Sequence, residues 1–114
     1  MIDSDMKLFN EMLIYANDIL EFVEGVDIDA FMKNKMMQSA CMLNILEIGE
    51  CVKKLSNSTI EKYNNIAWHE MRGFRNRIAH AYLSVSLEAV WDSTQIDIPK
   101  LIKDIKSILS SQVK

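Results

Sequence analysis

The sequence predicts an all-α protein built as a single helical domain over residues 1–114. Three observations predict it. One proline and three glycines in 114 residues are too few to punctuate the turns of a many-stranded sheet. Helix formers (Leu, Met, Glu, Lys, Ala) are abundant, and apolar residues recur three and four apart along most of the chain. A chain of this length supports one core and no second domain.

Taken in order, Ser4 can cap a first helix over residues 4–24, in which Phe9, Leu13, Ala16, Leu20 and Val23 share helical spacing and which Gly25 ends. Asp27 or Asp29 can cap a short turn. A long helix then runs from Asn34 to Leu55 and closes at Ser56-Asn57-Ser58. Its apolar residues form two stripes, Met37, Cys41, Ile45, Ile48, Val52 and Leu55 on one side and Met36, Ala40 and Leu43 beside them. So wide an apolar surface predicts more than one neighbour, as at a central bundle position or a dimer seam. Thr59–Tyr63 is expected to form a short helix, and another begins near Ala67. On that helix Ala67, Met71, Phe74 and Ile78 share a packing face, while Arg72, Arg75, Asn76, Ala79 and His80 lie opposite. Ser86 can cap a last stretch through Leu87, Val90 and Trp91, which Pro99 is expected to interrupt or kink before Leu101, Ile102, Ile105 and Leu109 resume the pattern.

Charge and cysteine usage narrow the function. A net charge of −3 argues against a general nucleic-acid coat protein, which needs a basic surface to displace counterions. Local charge differs from the average, because all three arginines, Arg72, Arg75 and Arg77, fall in one short window while the lysines are scattered. That window asks for guanidinium rather than mere positive charge. Cys41 and Cys51 share one helix about 15 Å apart along its axis, too far to pair. With no cationic leader and no apolar run of membrane-spanning length, the expectation is a soluble cytoplasmic protein with reduced thiols.

The segment Arg75-Asn76-Arg77-Ile78-Ala79-His80-Ala81-Tyr82 carries the candidate chemistry. Asn76 and His80, four apart, are neighbours on a helix, and a long arginine at position 75 can lean towards the same anion if the helix ends near His80. The Ser84-Val85-Ser86 stretch makes that end plausible, and in an extended segment Tyr82 would share a side with His80. RNA cleavage by its own 2′-hydroxyl needs a base, an acid and a cation on the crowded phosphorane. Histidine suits either proton role and arginine the cation. The alternative is an ordinary solvated face, with basic residues favoured near a helix C-terminus by the macrodipole. His69-Glu70 begins a zinc-protease signature, but Gly73 stands where the second histidine is needed, and no cysteine or histidine has metal spacing, so neither metal nor cofactor is expected. Trp68 and Trp91 read as core rather than as base-stacking residues. Glu50, three residues after Glu47 and beside the long apolar stripe, could orient an arginine or be solvated.

Arg75-x-x-x-x-His80-x-Tyr82, with Asn76 directly after the arginine, resembles the signature of the HepT-like HEPN family. Ile48-Gly49-Glu50, Trp68, Arg72-Gly73-Phe74, Val90-Trp91 and Ile98-Pro99 also resemble that family's layout, so the likeness covers most of residues 34–110. Ala67 departs from it, standing where the family has proline. The resemblance implies a four- to five-helix up-down bundle that dimerises and cuts RNA without metal at a cleft between two motifs. It assigns Arg75 to the scissile phosphate, His80 to acid or base catalysis, and Asn76 to orienting substrate or histidine; the clustering of the arginines adds Arg72 and Arg77 as expected substrate-binding cations. Tyr82 matches the tyrosine that a minimal nucleotidyltransferase antitoxin modifies with AMP in a type VII-like toxin–antitoxin pair. The competing expectation is a non-catalytic helical subunit of such a nucleotidyltransferase, binding nucleotide or partner through the same basic face.

Overall fold

The computed structural model describes residues 1–112. Their regular structure is wholly helical: α1 (Asp3–Phe22), α2 (Ile28–Met32), α3 (Lys35–Lys54), α4 (Asn57–Lys62), α5 (Trp68–His80), α6 (Leu87–Asp92) and α7 (Ile98–Ser110). A 3-10 turn over Tyr82–Ser84 follows α5, and a π-helical turn over Ser93–Asp97 joins α6 to α7. α3 is central, packed against α1 on one side and α5 on another, and α7 closes on α1.

Local chemistry sets most boundaries. Asn34 Oδ1 accepts the Met37 N–H at 3.0 Å and starts α3; Asp27 accepts from Ala30 at 2.9 Å, and Ser86 from Ala89 at 3.2 Å. Gly25 has φ +71°, the left-handed conformation that turns the chain out of α1. Pro99 does not break the last helix. Lacking an N–H, and with a ring that excludes the carbonyl four residues before it, it sits in the first turn of α7, and the wider π turn ahead of it absorbs the mismatch.

The start of α1 departs from expectation. The helix begins at Asp3 after Ile2, with no side-chain cap, so Ser4 lies inside the first turn. Asp5, 1 % exposed, turns inward instead. Its carboxylate accepts from the Ser56 N–H at 3.0 Å, the Ser56 hydroxyl at 2.5 Å and the Thr59 hydroxyl at 2.6 Å, tying α1 to the α3–α4 corner. Burial alone would raise this carboxyl, but those hydrogen bonds, led by the Ser56 and Thr59 side chains, outweigh it and hold it below its ordinary 3.8. An unfolded carboxylate therefore takes up its proton first as pH falls. The contribution to stability is complete above the ordinary value and is lost as pH drops through the folded one. Asp5→Ala, which strands three donors, should cost about 3 kcal/mol at neutral pH and flatten the acid limb of a denaturation-midpoint-against-pH curve.

Of α3's two apolar stripes the first is core: Cys41, Ile45, Ile48, Val52 and Leu55 are buried with Phe9, Met12, Ala16 and Ile19 of α1 and Ile98, Leu101 and Ile105 of α7. Most of the second stripe is left uncovered by the described residues, Met36 being 83 % and Leu43 58 % exposed. Trp68 is buried, its indole N–H donating to the Tyr63 carbonyl at 3.0 Å and its ring 6.1 Å from that of Phe9. Trp91 packs on Phe31. Both cysteines are free and buried, and burial pushes each thiol up to about 11, so neither is a nucleophile at neutral pH.

Candidate functional site

α5 is amphipathic, with Trp68 and Ile78 buried and Arg72, Asn76 and His80 exposed. It can lie close against α3 because Gly49 has no side chain: a Cβ there would stand 2.3 Å from Arg75 Cβ and 3.3 Å from the Met71 carbonyl oxygen. At this crossing Gly49 and Lys53 of α3, with Arg72, Arg75, Asn76 and His80 of α5, line a predominantly polar cleft of about 360 Å³.

Arg75 is held from several directions. Its Nη2 makes an ion pair with Glu50 Oε1, and its Nη1 donates to Asn76 Oδ1 at 3.0 Å. Its side chain is only 19 % exposed, and its Nε–H is buried without an acceptor among the described residues. His80 is the last residue of α5 and is exposed. After it the chain leaves the helix at Ala81, and the following turn is pinned by the Ser84 hydroxyl donating to the Ala81 carbonyl at 3.0 Å.

Of the residues singled out in the sequence, Arg72, Arg75, Asn76 and His80 meet in the cleft. Arg77 does not. Its guanidinium lies 5.1 Å from the Phe74 ring centroid and lines a separate apolar groove with Ile45, Met71 and Leu101. Tyr82 is outside the helix as expected, but its phenol reaches the Ser39 hydroxyl at 2.6 Å rather than the cleft wall. Ser39 precedes Gly49 by ten residues, about 15 Å along α3. Lys53 was not singled out in the sequence; the isolated Gly49 inside a long helix, one turn before it, was the available signal of a close approach.

The cleft offers a held guanidinium, two exposed cations, an amide and an imidazole, a set suited to holding a phosphodiester and moving protons beside it. Among the described residues no group of three or more His, Cys, Asp or Glu side chains could hold a metal ion, and no helix is long and apolar enough to cross a membrane.

An all-α bundle that presents Arg75, Asn76 and His80 from one helix, with Tyr82 just beyond its end, defines a HEPN-class protein. A sequence profile of the family described as ribonuclease HepT-like matches residues 12–108, and the chain belongs to that family. A provisionally named RNase of Methanocaldococcus jannaschii is 33 % identical over 105 residues, covering 91 % of this chain and 96 % of the relative. A provisionally named RNase of Caldanaerobacter subterraneus is 31 % identical over 94 residues, 82 % of this chain and 84 % of its own. A protein provisionally named ribonuclease HepT, from Thermococcus cleftensis, is 31 % identical over 94 residues, 76 % and 86 % of the two chains. No solved structure matches the chain significantly.

Proposed function

We propose that this chain is a metal-independent endoribonuclease toxin that cuts RNA at a cleft shared by two copies and is silenced by AMPylation of Tyr82. The observation that carries the reading is the convergence of Arg75, Asn76 and His80 in one polar cleft. In the proposed reaction the substrate's 2′-oxygen attacks phosphorus as a base removes its proton. The P–O5′ bond breaks as an acid protonates the departing oxygen, leaving a 2′,3′-cyclic phosphate and a 5′-hydroxyl. Arg75 stabilises the charge that gathers on the phosphorane oxygens.

One cleft contains one histidine, and the reaction has two proton transfers, so a two-fold dimer would supply the second. Exposed apolar residues adjoin the motif: Leu83 is 97 % exposed beside Tyr82, and Tyr82 is tied to Ser39 between the uncovered Met36 and Leu43. Such a patch favours a second copy as its cover. The test is cleavage of end-labelled RNA in excess chelator, with sedimentation of the same sample. Cyclic-phosphate products from a dimer are expected. Cleavage by a monomer would remove the shared cleft, and RNA or nucleotide binding without cleavage would favour a non-catalytic subunit.

Tyr82 is assigned to regulation. Its phenol is turned to Ser39 and does not line the cleft that holds Arg75 and His80. Tyr82 as a residue is 43 % exposed, and its hydroxyl becomes available to a nucleotidyl group once that hydrogen bond opens. Added AMP would bring negative charge and bulk next to the motif. Tyr82→Phe should keep most cutting activity yet gain no mass with the partner nucleotidyltransferase, ATP and Mg²⁺. AMP on another residue, read by peptide mass, would overturn the assignment.

A further inference from the structure

We propose that α3 supplies the second half of this site, with Glu50 the positioning residue that fixes the Arg75 fork; the inference rests on the ribonuclease reading of the cleft. Arginine is a long side chain that loses much rotamer freedom when ordered. Here it is held at its root, where Gly49 lets its Cβ and Cγ lie against the α3 backbone, and at both terminal nitrogens, by Glu50 and Asn76. That order exists before any substrate arrives, so little is lost at the transition state.

A purely stabilising role explains the arrangement poorly. Partly buried ion pairs contribute little net stability, because desolvation offsets attraction. What the pair provides is order: with Glu50 on Nη2 and Asn76 on Nη1, the planar fork is held in one orientation where Arg75 lines the cleft.

The pair also divides the electrostatic work. Glu50 balances the charge of Arg75, so attraction for RNA falls to Lys53 and Arg72, both exposed and without an ion-pair partner among the described residues. Capture by Lys53 and Arg72, and transition-state stabilisation by Arg75 through Glu50, should therefore separate in kinetics.

The experiment compares wild type with Glu50→Gln and Lys53→Ala in chelator. Glu50→Gln removes the charge at constant size and should lower kcat by about 10²-fold with KM nearly unchanged, as expected for a displaced catalytic cation. Lys53→Ala should raise KM and reduce the slope of log affinity against log salt by about one. Glu50→Asp, which keeps the charge on a shorter arm, should recover part of the lost kcat. If Glu50→Gln fails to fold, Glu50→Met, which leaves no buried acceptor, takes its place with the same expected loss. NMR of the Arg75 guanidinium gives a readout independent of cleavage: slow Cζ–Nε rotation, with separate Nη resonances, in wild type and fast rotation in the Glu50 variant. A folded Glu50 variant with wild-type kcat, or with Arg75 still rotationally locked, overturns the proposal. A wild-type protein that cuts no RNA overturns the ribonuclease reading instead, and the NMR comparison still decides whether Glu50 holds Arg75.

Discussion

His80→Ala is expected to lower RNA cleavage by roughly 10²–10⁴-fold, the usual contribution of one proton-transfer group, while leaving the fold in place. His80 is exposed at the end of α5, where it contributes at most the favourable interaction of a basic residue with the helix C-terminus. Its removal should cost under about 1 kcal/mol of stability. Arg75→Ala should be as damaging to catalysis, by a few kcal/mol of transition-state stabilisation, roughly, but it is not structurally silent. Arg75 lies against Gly49 and pairs with Glu50, so alanine leaves a cavity and an unpartnered carboxylate at the α3–α5 crossing. Arg75→Lys keeps the charge without the fork and should recover little activity. Cleavage kinetics in chelator and circular-dichroism melts check both. Wild-type rates from His80→Ala would remove the imidazole from the mechanism.

What the sequence made legible follows from the range of the interactions involved. Asn34, Ser86 and Gly25 act within a turn of their own position, so the start of α3, the start of α6 and the exit from α1 could be read directly, while for the turn before α3 the sequence offered Asp27 or Asp29 and the structure takes Asp27. The end of α5 at His80, with Tyr82 outside the helix, was legible for the same reason. The start of α1 was not. Ser4 suits a cap, yet the helix begins at Asp3 without one, and Asp5 is held inward by Ser56 and Thr59, more than fifty residues away. Pro99 marked a disturbance but not its form, because a π turn ahead of the proline relieves the clash without breaking the helix.

Within the site, helical periodicity brought Asn76 and His80 together, but it could not say which flank of α5 faces α3. Arg72 and Arg77 are both near Arg75 in sequence. Phe74 draws Arg77 to the far side, and Gly49 opens the near side to Arg72 and Arg75. Glu50 was visible as a carboxylate beside the apolar stripe, with orienting an arginine or solvation left open. The structure pairs it with Arg75.

Gly49→Ala is the substitution expected to couple stability to activity most directly. A methyl group there would lie 2.3 Å from Arg75 Cβ, 2.7 Å from its Cγ and 3.3 Å from the Met71 carbonyl oxygen. Neither a helix backbone nor the root of a side chain can swing aside as a flexible tip can, so α5 must move off α3. Overpacking of this kind costs about 1–3 kcal/mol, against a gain of about 1 kcal/mol from replacing a mid-helix glycine. The net effect is destabilising, and a shift of about 1 Å at Arg75 should reduce cleavage by about 10²-fold. Gly73 is the control on the same helix: its nearest neighbour would be Arg77 Nη1 at 3.8 Å, so Gly73→Ala should keep the propensity gain and raise the melting temperature. Gly25→Ala, at φ +71°, should cost about 1–2 kcal/mol of backbone strain without touching the cleft. Melts and cleavage rates of the three variants separate these effects. If Gly49→Ala melts as high as Gly73→Ala and cuts RNA at the wild-type rate, the close α3–α5 contact is not what places Arg75.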